Sequence, residues 1–279
     1  MRANNYVQSG ERLSFYKLFK ENNFRVVIPI IQRDYAQGRS NNPKIEQIRK
    51  DFIDTLYTRV INENLTKDLD FIYGAVEDNK LILLDGQQRL TTLTILFCVL
   101  RDLGIANAND EQIDMLENSI QGLGRKKKQR LKLTTHSNNQ ALFEETIING
   151  IDFSSSKKDI KNNRFLQTAY YFKNLILKLK DKKSEDYIEN INEFVNYIFV
   201  KTTMIKVVCF DENFAIKLFS VLNDRGLNLT PADIIKAYLM ESMVDDETKL
   251  NSFIEVWKQI EAIIDFTDEK MEGILNLYL

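Results

Sequence analysis

The chain has 279 residues, 44% of them hydrophobic and 28% charged, and a formal net charge of −2. That length allows one large domain or two modest ones of ordinary globular composition. The near-neutral charge excludes a strong whole-molecule pull on DNA or on an anionic membrane, so a nucleic-acid contact must come from a local patch.

One histidine, His136, and two cysteines, Cys98 and Cys209, exclude a local histidine-triad or cysteine-knuckle metal site. They also exclude histidine-rich HNH nuclease chemistry within this chain, and no PD-(D/E)xK pattern is present. Both cysteines sit in apolar runs and are expected to be buried thiols in a reducing cytosol. His136 lies in a polar stretch and is expected on a surface loop. Residues 1–12 are polar, and no run approaches the ~18 apolar residues of a membrane span. A cytoplasmic protein without a membrane partner is expected.

In chain order, the pattern predicts a short helix over Leu13–Lys20 and a strand over Phe24–Pro29. Asn42 and Pro43 then open a helix whose apolar residues Ile45, Ile48, Phe52, Leu56 and Val60 recur at helical spacing. Two apolar runs, Phe71–Val76 and Leu81–Leu84, flank a four-residue polar turn and predict a β-hairpin. A helix apolar on nearly every side follows from about Leu90 to Leu103 and is expected to be buried.

Residues 105–200 read as mostly helical, with a strand at Arg130–Leu133. Tyr170, Tyr171, Leu175, Ile176 and Leu179 form one apolar stripe; Ile188, Ile191, Phe194, Val195 and Ile198 form another. Ser154–Asn163 reads as an exposed connection and Met204–Phe210 as a strand. Helices are predicted from Asp211 to Asn223, from Thr230-Pro231, and twice within 248–279. The apolar close of the chain at Leu279 suggests a domain cut from a longer protein, or one partner of a split system. The expected organisation is a core at 1–104, a helical insertion at 105–203, and a returning strand with C-terminal helices at 204–279.

The chemistry concentrates at Asp85-Gly86-Gln87-Gln88-Arg89, between the predicted hairpin and the buried helix. A helix N-terminus carries outward N–H donors and a positive dipole end, both suited to an anion. Gly86 lets a ligand approach the backbone, Arg89 offers a planar charged fork for phosphate, and Gln87 or Gln88 can position water. Thr91 and Thr92 would add hydroxyls in the first turn. As a generic pattern, Asp85 can equally be a plain N-cap beside solvent-facing glutamines.

The other elements have two readings each. Gln32, Arg33 and Tyr35 read as a polar loop or as part of the site, where an arginine would stabilise developing charge. Gly226 reads as a helix-terminating glycine and Asp233 as part of a cap, while Asn223 and Arg225 are candidates for lining a cleft. Arg125–Arg130 is a dense basic run, read chiefly as a solvated loop, with a grip on DNA or RNA phosphates as the alternative.

Leu84–Leu93 resembles the signature of the N-terminal domain of GmrSD-type restriction endonucleases, also called domain-of-unknown-function family 262. Ile28–Tyr35 resembles that family's upstream IPxxQRxY element, and Gln129–Thr134 with Asn139 and Phe143 a weaker middle element. Phe219–Gly226, with Leu229 and Asp233–Ala237, resembles the closing NxRGxxL…DxxKA element. The ordered set spans about residues 10–245. Ile31 and Gln37 stand where the family often has Tyr and Trp, which removes any stacking contact expected of those two aromatics.

The resemblance implies an α+β fold: a small mixed β-sheet, ParB/sulfiredoxin-like, with a large, mostly helical body. It implies an Mg²⁺-dependent NTPase, with GTP the expected nucleotide, that regulates cleavage of modified foreign DNA by an HNH-type nuclease domain or subunit. Asp85, Gln87, Gln88 and Arg89 would carry the chemistry. Gly86, Thr91, Thr92, Gln32, Arg33, Tyr35, Asn223 and Arg225 would line the nucleotide. No protein metal ligand is assigned, and homo-oligomerisation is left open. The alternatives are a non-hydrolysing nucleotide- or DNA-binding switch, and a direct reader of modified DNA.

Overall fold

The structure is a computed structural model. It describes the runs 7–20, 25–28, 71–77, 80–105, 110–121, 131–133, 137–184 and 191–209, with isolated positions elsewhere, Tyr35 among them. The chain divides into two compact units: Met1–Ile30 with Asp34–Lys217, and Ile31–Arg33 with Leu218–Leu279.

The first unit is built on one six-stranded mixed sheet. Its strands are β1 (Val7–Ser14), β2 (Arg25–Ile28), β3 (Phe71–Glu77), β4 (Lys80–Asp85), β5 (Leu131–Leu133) and β6 (Thr203–Cys209), in spatial order β1-β6-β3-β4-β2-β5. The α+β class expected from the sequence is what folds, and the strand predicted near 204–210 does return to the N-terminal sheet, beside β3.

β3 and β4 form the predicted hairpin, but the strands extend into the polar turn, so that Glu77 faces Lys80. The ladder shifts register between Tyr73 and Gly74. A side chain at Gly74 would begin 2.5 Å from the Ile82 carbonyl oxygen, so glycine permits the close strand approach there.

β1 is the element the polar N-terminus concealed. The predicted helix at Leu13–Lys20 is shorter, α1 (Phe15–Lys20), because Leu13 and Ser14 belong to the end of β1, paired with Met204 and Thr203. An edge strand with one solvated face carries few apolar residues, which leaves it little hydrophobic signal. Glu11 sits opposite Lys206 in this ladder, and their side chains pair at 3.0 Å although Lys206 is almost fully buried.

Helices cover the core face of the sheet. α2 (Gln87–Asp102) is buried at every residue from Leu90 to Leu100, as its all-round apolar sequence requires. Phe97 on α2 packs on Phe15 at 4.5 Å and edge-on against Phe199 at 4.6 Å. α3 (Asp110–Ile120) buries Leu116 and Ile120, and α4 (Ser137–Phe143) continues into a π-helical turn over Glu144–Ile148.

The stretch expected to be a plain connection at 154–163 holds a short exposed helix, α5 (Lys157–Asn162). Ser156 caps it by accepting from the Asp159 N–H, a local gain that outweighs the absence of an apolar face. Asn163 then caps α6 (Arg164–Lys180) by accepting from the Phe165 and Leu166 N–H groups. α6 buries Phe165, Ala169, Phe172, Ile176 and Leu179, so the inward stripe is rotated from the predicted one; Tyr170, Tyr171 and Leu175 lie on its flank. α7 (Ile191–Asn196), continued by a π-helical turn to Lys201, buries Phe194, Val195 and Ile198 as expected.

In the second unit, Asp246 accepts from the Lys249 N–H and pairs with its ammonium at 3.1 Å, and the rings of Phe253 and Trp257 lie 5.5 Å apart. His136, Arg125–Arg130 and the helices predicted from Asp211 and Thr230 fall largely outside the described residues.

Candidate functional site

β4 delivers Asp85 to the edge of the sheet, and the chain turns there into α2. β2 pairs in parallel with both β4 and β5, so the carboxyl ends of all three strands open on the same edge. The residues that follow them are Gly86, Pro29 and Thr134, which begin or continue three of the motifs singled out in the sequence. Carboxyl ends of parallel strands are where open α/β sheets hold ligands.

The turn depends on Gly86. Its φ is +93°, in the left-handed region, and a β-carbon there would lie 2.5 Å from Ile72 Cγ2 on the neighbouring strand. No side-chain signal in the sequence marks Ile72 as the residue that shapes the turn.

Gly86, not Asp85, is the N-cap, and α2 begins at Gln87, three residues earlier than the apolar pattern predicts. Gln87, Gln88 and Arg89 are therefore the first helical turn. Their polarity hid them from a periodicity argument, yet they propagate the helix once Gly86 has set the turn. The Leu90 N–H closes the first helical bond on the Gly86 carbonyl at 2.9 Å. Gly86 supplies no side-chain acceptor to this end of the helix, and the first turn holds no acidic residue.

Arg89 reaches back one turn, and its Nη2 donates to Asp85 Oδ2 at 3.2 Å. Both side chains are partly exposed, at 20% for Arg89 and 32% for Asp85. Gln87 is buried, and Gln88 is half-buried.

Thr91 and Thr92 lie in the second turn, not the first, and both are buried in the core. Thr92 spends its hydroxyl inside the protein, 2.8 Å from the Tyr35 hydroxyl. Tyr35 in turn donates to Thr168 Oγ1 at 3.1 Å and stacks on Phe165 with ring centroids 5.5 Å apart. The IPxxQRxY-like element is thus tied through Tyr35 to the helix that follows the glycine turn, one turn behind Arg89. Phe165 and Thr168 complete this anchor and belong to no motif. Gln32, Arg33, Asn223 and Arg225 lie outside the described residues.

At its far end α2 is clamped to the π-helical turn. Arg101 donates to the carbonyls of Ile148 at 2.9 Å and Ile147 at 3.2 Å. Asp102 accepts from Arg101 and from the Ile151 N–H. Cys98, fully buried nearby, has its thiol pushed up to about 12, chiefly by burial, with Arg101 opposing and Asp102 reinforcing the shift.

Among the described residues no three His, Cys, Asp or Glu side chains gather as a metal site, and no helix is long and apolar enough to cross a membrane. The family model of the GmrSD restriction endonuclease N-terminal domain matches residues 15–240. No curated protein matches the chain.

Proposed function

The chain belongs to the GmrSD restriction endonuclease family, as its N-terminal domain, and from that premise we propose that it binds and hydrolyses a nucleoside triphosphate to regulate cleavage of modified DNA. The nuclease chemistry would reside in an HNH-type domain or partner subunit. GTP is the expected nucleotide and Mg²⁺ the expected ion.

The observation that carries this reading is the Gly86 turn. A glycine without room for a β-carbon begins an acid-free helix N-terminus, at the edge where three parallel strands end. The N–H groups of the first turn and the dipole of the 16-residue α2 suit phosphate oxygens. The donor set therefore fits a phosphate group. It fits a metal held mainly by phosphate oxygens, with Asp85 the one carboxylate of the turn.

Arg89 and Asp85 form a charge pair across the turn. A phosphate would compete with Asp85 for the same guanidinium; Asp85 is the residue of the turn that would help hold a metal, which would leave Arg89 for the phosphate. Mg²⁺, when bound, supplies charge neutralisation on the phosphates. Gln88, half-buried beside the turn, would orient the attacking water; Gln87, buried, would hold the turn itself. Tyr35 and Thr92 act behind this surface as positioning residues.

The test is phosphate release from GTP, ATP, CTP and UTP with Mg²⁺, beside thermal shift, for the wild-type chain and Arg89→Ala. Turnover that disappears in the variant, with the fold intact, is the expected result. A thermal shift without turnover would replace the NTPase by a binding switch. Neither shift nor turnover with any nucleotide would remove the phosphate turn and leave a direct reader of modified DNA.

A further inference from the structure

Residues 157–183 hold nine lysines and arginines against two carboxylates, Asp159 and Asp181, in a chain whose net charge is −2. This segment is α5, α6 and the turn after it. Its cations sit mainly in two exposed clusters. Lys157, Lys158 and Lys161 lie on α5; Lys178 and Lys180 close α6, and Lys182 and Lys183 follow it.

The two clusters bracket one helix. Lys161 lies beside Gln167, and Lys178 and Lys180 close the same 17-residue helix, so the clusters stand roughly 15–20 Å apart along its axis. Gln167 donates to the Lys161 carbonyl and the Tyr170 hydroxyl to that of Asp152, which lays α5 and the chain before it over the face of α6 turned away from the core. Further along that face come Asn174, Leu177 and Lys178, all exposed. Between the clusters, Lys173 rests over the rings of Phe153 at 4.8 Å and Tyr170 at 5.2 Å.

Two features separate this surface from an ordinary solvated helix face. Basic helices in balanced proteins usually carry interspersed acids that form ion pairs along the helix. Here the two acids, both exposed, accept from local hydroxyl and backbone donors: Asp159 from the Ser156 hydroxyl and Asp181 from the Lys183 N–H. The helix that carries the second cluster is also firmly seated. Asn163 caps α6, and six buried apolar residues fix it to the core. A duplex presents roughly one phosphate per 1.7 Å of axis, so a basic span of this length faces a continuous row of anions.

We infer that the α5–α6 face is a surface that grips the phosphate backbone of duplex DNA. Its contacts carry no sequence information, so it would hold the duplex while the modified base is read elsewhere. The inference rests on the DNA substrate of the family and not on the nucleotide turn.

The experiment is fluorescence anisotropy with an unmodified 30-base-pair duplex, without nucleotide, over a salt series. Three variants of the full chain are compared: Lys157/Lys158/Lys161→Ala, Lys178/Lys180/Lys182/Lys183→Ala, and Lys126/Lys127/Lys128→Ala in the other basic run. The first two are expected to bind at least about tenfold more weakly at low salt. Their slope of log affinity against log salt should fall by about two to four, near one per lysine lost. Their unfolding midpoints and any NTP turnover should stay at wild-type values, since each lysine is exposed.

Unchanged affinity and slope in both variants would overturn the inference. So would a loss confined to the 126–128 variant, or a wild-type chain that does not bind the duplex. Phosphatidylserine vesicles form a parallel arm. If the first two variants release vesicles while holding DNA normally, the surface faces a membrane and the inference fails.

Discussion

The hydroxyl of Tyr35 is hydrogen-bonded to the hydroxyl of Thr92 at 2.8 Å, across 57 residues of sequence. That bond joins two sequence elements at a buried point, one turn behind Arg89, where neither hydroxyl is on the surface. Tyr35→Phe keeps the ring on Phe165 but leaves Thr92 and Thr168 without that partner. A loss of about 1–3 kcal/mol in urea unfolding is expected. Tyr35→Phe with Thr92→Val should cost less than the sum of the singles, because both polar partners are then gone. Strict additivity would place the anchor elsewhere.

Gly86→Ala tests the turn. The substitution meets a left-handed backbone and the Ile72 methyl together, so destabilisation of about 2 kcal/mol or more is expected. Adding Ile72→Ala relieves the contact and not the backbone strain, so it should recover only part of the loss beyond its own cavity cost. Chemical denaturation of the four chains measures the coupling. A Gly86→Ala chain as stable as wild type would show that the turn relaxes without strain.

Lys206 and Glu11 predict an asymmetry. Lys206 is 5% exposed at its side chain and Glu11 48%. Glu11→Gln leaves a buried ammonium beside a neutral amide and should destabilise by about 1–2 kcal/mol, the half-exposed carboxylate limiting the effect. Lys206→Met removes the charge itself and should come out near neutral. The reverse ranking in thermal unfolding would mean that the pair contributes net stability.

Arg101 closes the far end of α2 on two backbone carbonyls and on Asp102. Arg101→Lys cannot span all three acceptors with one ammonium, so it should resemble Arg101→Ala, each costing about 2–3 kcal/mol. Amide exchange of residues 147–151 should accelerate in both. Protection retained in the lysine variant would reduce the role of the fork to a point charge.

Cys98 predicts both reactivity and pH dependence. Its thiol is raised from 9.0 to about 12 by burial, so the folded state holds the proton more tightly than the unfolded chain. That stability is fully present below pH 9 and declines as pH rises from there toward 12. In a Cys209→Ser background, where Cys98 is the remaining thiol, a disulfide reagent at about pH 8 should react only as fast as the protein opens. Rapid labelling of the native state would contradict the burial.

Most of the architecture could be read from the sequence because it is written in apolar periodicity. The hairpin, the buried α2, the strand at 203–209 and the helix after residue 190 each follow from short-range patterns that burial enforces. The ends of elements were less legible. Gln87-Gln88-Arg89 is helical without being apolar, and β1 is an edge strand whose pairing with β6 comes from residues nearly 200 positions away. The candidate site divides in the same way. Residue types and a glycine between a strand and a helix mark the Asp85–Arg89 turn. Only tertiary structure decides that Ile72 fills the space beside Gly86, that Asp85 pairs with Arg89 and is not the cap, and that Tyr35 and Thr92 face each other in the core. Periodicity reports which residues prefer to leave water; which partner each polar group finds there depends on register and packing between distant segments, which no local pattern encodes.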